Sequence, residues 1–251
     1  MRRSARLDEA GAAHGFGDRR DGVSGGIYAR ANAGFNGDDP AAVRENRRRF
    51  ARALGADPAA LCTLRQTHGR TARVVAAPEE ARRDGDALVS RTPGLLLAVT
   101  TADCVPLLLV DPGVGVAAAV HAGWRGAVGG IVAAALAGMR GLGAAPERVV
   151  AAIGPCIRAA GYEVDSPLRD RVLGATPAAA ALFDPGRRPE RWQFDLAGYV
   201  AQLLRAESVL RIDDLGLDTL KDAPTYFSHR RSKQHDEVGY GVQLSAIRVP
   251  G

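Results

Sequence analysis

The chain has 251 residues, 46% of them hydrophobic and 24% charged, with a net charge of +5 and a pI near 9.5. This is the composition of an ordinary soluble globular protein, long enough to bury a sizeable core. Only Lys221 and Lys233 are lysines, and the many arginines are scattered with no basic stripe interleaved with aromatics, which argues against a nucleic-acid partner.

The opening "MRRSARLDEAGAAHGFGD" has two arginines but no apolar core of a secretory signal. No uncharged apolar run is long enough to span a bilayer, so no membrane role is expected. Three cysteines, Cys62, Cys104 and Cys156, are too few and too odd in number for a disulfide framework, and they point to a reducing compartment, the cytoplasm.

Residues 14–34 are Gly-rich and polar, which predicts loops with short strands. Residues 37–55 predict a helix with Asp39 as N-cap, Pro40 in the first position, and Val43, Phe50 and Leu54 on one face. "LCTLRQTHGRTARVV" (61–75) reads as two strands either side of a His-Gly tip. "GLLLAVT", "PLLLVD" and "GVAAAV" follow as three apolar strands, then a Gly- and Ala-rich helix from about 126 to 140. "RVVAAIG" is a further buried strand, and helices are expected near 167–173 and 195–207. "TYFSH" and "GVQLSAIRV" close the chain as strands. Strands and helices mix without regular alternation, which predicts an α+β fold, mixed sheets packed with flanking helices in a single domain spanning 1–251. Neither a GxGxxG nor a GxxxxGK[ST] phosphate loop is present.

The most apolar stretch carries the most chemistry. If "DPGV" (111–114) is a tight turn pairing Val110 with Gly115, Cys104 falls directly across from His121, both on one face. A thiolate beside an imidazole serves either as two ligands of a borderline metal or as a nucleophile with its base. His68, exposed at the tip of "RQTHG", supplies a third ligand, and two His with one Cys and an open position is the arrangement of a catalytic zinc site. Asp103 is placed to orient an imidazole from behind. Cysteine is, however, among the most buried residue types, and Cys156 in "IGPCI" reads as packing. Trp124 can stack on a ring or cover the core edge.

"RQTHG" (65–69), "TADCVPLLLVD" (101–111), "HAGWRG" (121–126), "IGPCI" (153–157), "YEV" (162–164) and "FSHRR" (227–231) stand in one order. With "HGF" and "DDPAAVRENR" they resemble the polyphenol oxidase or laccase-domain family, also described as purine nucleoside phosphorylases and as a peptidoglycan editing factor. The resemblance spans about residues 14 to 248. It implies zinc held by His68, Cys104 and His121, with purine nucleosides and phosphate as substrates. It also implies two outcomes: phosphorolysis of adenosine, inosine or methylthioadenosine, and deamination of adenosine to inosine. Arg65, Arg125, Arg230 and Arg231 are the motif-borne candidates to hold phosphate. Arg65 and Arg125 are assigned to catalysis, Trp124, Arg230 and Arg231 to substrate, and Asp103 to proton handling. Two positions depart from the family pattern: His229 stands for its usual Tyr, and Val242 for its usual Arg. The competing chemistries are a Cys104–His121 hydrolase acting on cell-wall precursors, and a copper-dependent polyphenol oxidase. Copper ranks low, because a multicopper cluster needs more imidazoles than five His supply, and an axial Met would have to be Met1 or the helical Met139. Oligomeric state is left open.

Overall fold

The computed structural model describes residues 1–78 and 83–251. The chain begins with helix α1 (Ala5–Glu9), strand β1 (His14–Phe16), helix α2 (Pro40–Ala53), and strands β2 (Leu61–Cys62), β3 (Ala72–Val74) and β4 (Ala87–Ser90). The central part is β5 (Leu96–Thr101), β6 (Val105–Asp111), β7 (Val116–Ala122), α3 (Trp124–Gly129), α4 (Ile131–Gly141) and β8 (Val150–Ile153). It continues through β9 (Glu163–Asp165), α5 (Ser166–Ala175), β10 (Phe183–Pro185), β11 (Arg191–Phe194) and α6 (Leu196–Ala206). β12 (Arg211–Asp214), α7 (His229–Gln234) and β13 (Gln243–Arg248) complete it.

A four-stranded sheet, β1-β13-β5-β2, lies against a six-stranded sheet, β12-β8-β6-β7-β4-β3. Alternate residues of the central strands serve two cores. Leu108, Val110, Ala117 and Ala119 meet Leu97, Val99 and Ile247 between the sheets, while Leu107, Leu109, Ala118 and Val120 meet α4 and α6 outside. Burial on both faces explains why β6 and β7 read as unbroken apolar runs. On the far side of the smaller sheet, Ala51 of α2 and its C-cap Leu54 cover Leu96, Ala98 and Ala246. A small sheet, β10-β11-β9, stands at the periphery. The fold is α+β with mixed sheets and flanking helices, as expected. Helix α2 is capped by Asp39, whose side chain accepts from Ala41 N, with Pro40 in the first turn.

Four elements differ from the sequence expectation. The hairpin loop is Pro112–Gly115, so Asp111 pairs with Val116 and His121 with Pro106. Asp111 stays in the strand because its buried carboxylate accepts from Gly113 N, Ala145 N and Arg148, while Gly115 takes the left-handed turn position at φ 63°. Cys104 therefore sits two residues beyond Pro106 instead of opposite His121. Cys104 lies in the bend before β6, outside the ladder, and the thiol still converges on the imidazole. The helix expected over 126–140 is two helices, broken at Gly130 with φ 94°. β2 and β3 do flank the His-Gly tip, but they belong to different sheets, and the tip crosses between them. "TYFSH" forms no strand: the Gln243 side chain bonds both Phe227 N and Phe227 O, replacing a sheet ladder, and Ser228 then caps α7.

Candidate metal centre

His68, Cys104 and His121 converge, their ligand atoms all within 4.8 Å of one another. Three different elements deliver them. His121 comes from the end of β7 and is buried, Cys104 from the bend before β6, and His68 from the exposed tip between β2 and β3. The His68 and His121 rings meet edge to face at 4.7 Å between centroids. Gly123 makes the convergence possible: a Cβ there would lie 3.0 Å from Cys104 Sγ and 3.2 Å from His68 Cδ2. Gly126 serves the same loop, since a Cβ would lie 2.7 Å from the carbonyl oxygen of Gly69. The two glycines of "HAGWRG" are thus clearances for the ligand loops.

Asp86, absent from the motif reading, organises the centre. Its carboxylate is fully buried and accepts from His121 Nδ1 at 2.8 Å, His68 N at 2.9 Å, Gly69 N at 2.7 Å and Thr67 Oγ1 at 3.0 Å. A carboxylate only accepts, so His121 carries its proton on Nδ1 and turns Nε2 inward. The same bonds hold His68 in the left-handed region, at φ 57°. Burial acts to raise the Asp86 carboxyl, but the bonds from His121, Gly69 and Thr67 outweigh it and bring it to about 2. Asp86 lies in "RRDGDALV", where its spacing to the three ligands carries no sequence signal.

Burial opposes ionisation of the Cys104 thiol, but the His121 charge, and then the bonds from His121 and His68, pull it below the ordinary thiol range. His121 moves the opposite way: burial lowers it, and Cys104 and Asp86 together raise it. The pair favours thiolate beside imidazolium when no metal is bound.

Asp103 orients no imidazole. Its buried carboxylate accepts from Thr219 Oγ1 at 2.7 Å, Ser228 Oγ at 3.0 Å and Arg230 N at 2.6 Å. It ties the start of α7 to the bend that presents Cys104, itself in the left-handed region at φ 83°. With three bonds so accepted, Asp103 fixes the bend that carries the thiol.

The trio opens into a cleft of about 770 Å³. Arg65 is at its rim, 79% exposed and paired with Asp84. Arg125 is exposed, stacked over Trp124 at 4.5 Å, and Trp124 packs on the helix-side core, so neither lines the cleft. Arg230 bonds Glu163 O at 3.1 Å and lies 5.4 Å over the Tyr162 ring. Arg231 bonds the carbonyls of Thr219 and Leu220 and lines a separate cavity. The expected cations are thus mostly engaged elsewhere. Arg47, in "VRENR", takes their place in the cleft. It bonds Ala33 O at 2.8 Å, stacks over Phe35 at 4.6 Å, and burial lowers it to about 10. Phe35 and Tyr240 are exposed aromatics on the cleft wall, and Thr101 lines it with a buried hydroxyl that has no partner among the described residues. Val242 also lines the cleft, and His229 packs edge-on against Tyr240 at 4.6 Å.

Two stacked mixed sheets carry a buttressed His₂Cys cluster at a cleft, a candidate metal centre. The family model for multi-copper polyphenol oxidoreductase laccase matches residues 13–250, and the chain belongs to that family. It is 49% identical over 229 residues to a Streptomyces coelicolor protein named purine nucleoside phosphorylase, covering 89% of this chain and 91% of that one. A Deinococcus radiodurans protein of the same name is 44% identical, covering 78% of this chain and 75% of that one. Among solved structures, Geobacillus stearothermophilus YlmD matches with a TM-score of 0.86 at 29% identity, covering 100% and 98% of the two chains. A Neisseria meningitidis protein matches at 0.83 and 33%, covering 93% and 92%. Among the described residues His68, Cys104 and His121 form the one ligand cluster, which provides a single centre, and Met139 is buried in α4. No helix among those residues is long and apolar enough to cross a membrane.

Proposed function

We propose that the protein is a zinc-dependent purine nucleoside enzyme, cleaving adenosine, inosine or methylthioadenosine with phosphate and deaminating adenosine at the same centre. The observation that carries this reading is the His68–Cys104–His121 cluster, buttressed by Asp86 and open to a cleft. The donor set fits zinc: one thiolate, one imidazole with a fixed tautomer and a third at an exposed tip, leaving a side open. Bound there, zinc supplies a Lewis acid that polarises an oxygen or activates water near neutral pH.

The residues of the chain do the rest. Arg47 retains N–H donors facing the cleft and suits bidentate capture of phosphate. Phe35 and Tyr240 offer faces to a purine, and Thr101 Oγ a hydroxyl for the sugar. In phosphorolysis the C1′–N bond breaks, the base leaves with the electron pair and gains a proton, and phosphate oxygen bonds C1′. In deamination water replaces the C6 amino group and ammonia leaves. Asp86 keeps the proton on His121 Nδ1 throughout.

The test is incubation with inosine or adenosine and phosphate, followed by chromatography for free base, ribose 1-phosphate and, from adenosine, inosine. Turnover lost on chelation, restored by zinc and absent in Cys104→Ala is expected; zinc-loaded protein that forms none of these products refutes the reading. The lowered Cys104 thiol beside His121 favours a second reading, a Cys–His hydrolase. That reading requires activity that survives metal removal and is lost to a thiol alkylator.

A further inference from the structure

Residues 237–242 form a wall one chain thick. Val238, Gly239, Tyr240 and Val242 face the cleft, while Glu237, Tyr240 and Gly241 face a second cavity of about 290 Å³. Two guanidiniums, Arg19 and Arg231, line that second cavity. We propose that it is a binding site for a phosphate group, carried by inorganic phosphate or a small phosphate monoester.

Both cations are held in place by neutral acceptors only. Arg19 donates to Ala29 O at 2.9 Å and Ala223 O at 3.4 Å, with its guanidinium 4.4 Å over the Phe227 ring. Arg231 donates to the carbonyls of Thr219, Leu220 and Tyr226. Among the described residues neither guanidinium lies within the 4 Å ion-pair distance of a carboxylate, and Glu237, on the cavity wall, pairs with neither. Each guanidinium has five N–H donors, so both keep some for a ligand. Burial, then the field of Arg231, lowers Arg19, and the Glu237 carboxylate across the cavity only partly opposes them.

Two half-buried like charges with no carboxylate within ion-pair distance raise the free energy of the fold, Glu237 offsetting the cost only in part, and an anion lowers it further. Backbone anchoring fixes the forks before the ligand arrives, which limits the entropy lost on binding. Phosphate presents the oxygens that two planar forks hold bidentately. The volume lies at the low end for small-molecule pockets, which suits phosphate or a sugar phosphate better than a whole nucleotide. Because the wall is shared through Tyr240, an anion here braces the cleft from behind.

The test needs no turnover and so stands apart from the proposed activity. Inorganic phosphate, ribose 1-phosphate and sulfate are titrated calorimetrically into the full chain without nucleoside, and wild-type crystals are soaked in tungstate. Anomalous density between Arg19 and Arg231 is expected. Arg19→Gln should weaken one class of phosphate site at least tenfold, Arg19→Lys should weaken it less, and Arg47→Gln should leave that class unchanged. The tighter of the first two titrants identifies the natural source. Tungstate confined to the cleft, wild-type phosphate binding in Arg19→Gln, or sulfate binding as tightly as either phosphate (an adventitious ion only) overturns the proposal.

Discussion

Replacing Asp86 by Asn changes one atom of a buried carboxylate that now accepts from Thr67, His68, Gly69 and His121. The amide keeps one acceptor and turns the other into a donor. The less damaging orientation retains His121 Nδ1 and His68 N on the oxygen and leaves the Gly69 N–H, now bonded at 2.7 Å, facing an NH₂ group. Losing that charge-assisted bond, burying an unsatisfied donor and weakening the remaining bonds costs about 3 kcal/mol together. For a chain of this size that lowers Tm by roughly 6–12 °C. The carboxylate also fixes the tautomer of His121 and the tip that carries His68, so zinc affinity should fall about 10- to 100-fold. Calorimetric melting of metal-free protein and zinc competition against a chromophoric chelator measure the two effects separately. A variant that melts within about 2 °C of wild type and holds zinc as tightly refutes the buttress.

Gly123→Ala places a methyl about 3 Å from both Cys104 Sγ and His68 Cδ2. The backbone at φ −70° tolerates alanine, so we expect near-normal melting with zinc bound at least about tenfold more weakly, read by the same competition assay. In metal-free protein the Cys104 thiol titrates below its ordinary range, so iodoacetamide should label it at pH 7, while the buried Cys62 and Cys156 stay unlabelled by peptide mapping. Burial pushes Cys156 up to about 12, which reinforces the contrast. Asp111 opposes its burial through Arg148, Ala145 N and Gly113 N, which hold its carboxyl below the usual range. A depressed carboxyl contributes stability above its unfolded value, near pH 4, that is lost as pH falls through the folded value. Asp111→Asn should therefore cost about 2 kcal/mol at pH 7 and progressively less toward acid, measured by urea melts at both ends.

The candidate metal ligands were legible because apolar strands frame them and their residue types are rare. Cys104 and His121 stand at the ends of two buried runs joined by a turn, and alternation alone places them on one face. The turn was misplaced by two residues of register, yet the two side chains still converge, His121 from β7 and Cys104 from the bend that precedes β6. His68 was legible for another reason: its His-Gly setting predicts an exposed tip, and it is one.

Asp86 was not legible, and neither was Arg47. Asp86 meets the His68 tip and His121, and Arg47 the loops holding Ala33, Phe35 and Thr63, only once the chain is folded, and an Asp or Arg in a polar stretch has no local mark. Arg231 shows the converse. Its motif marked it as a substrate ligand, and folding commits part of its donors to the carbonyls of Thr219, Leu220 and Tyr226 and turns it toward a different cavity. Asp103 likewise reads as chemistry in "TADC" and is a tie between loops.

The sequence by itself determined which strands are buried, where α2 begins, and which thiol and two imidazoles are the candidate ligands, since hydrophobic period, capping and residue type are local properties. Only the tertiary structure decided which carboxylate steadies the imidazole, which arginine is half-buried in the cleft and which pair lines the second cavity. Hydrogen bonds and charges act over a few ångströms in space, and the chain order does not record that distance.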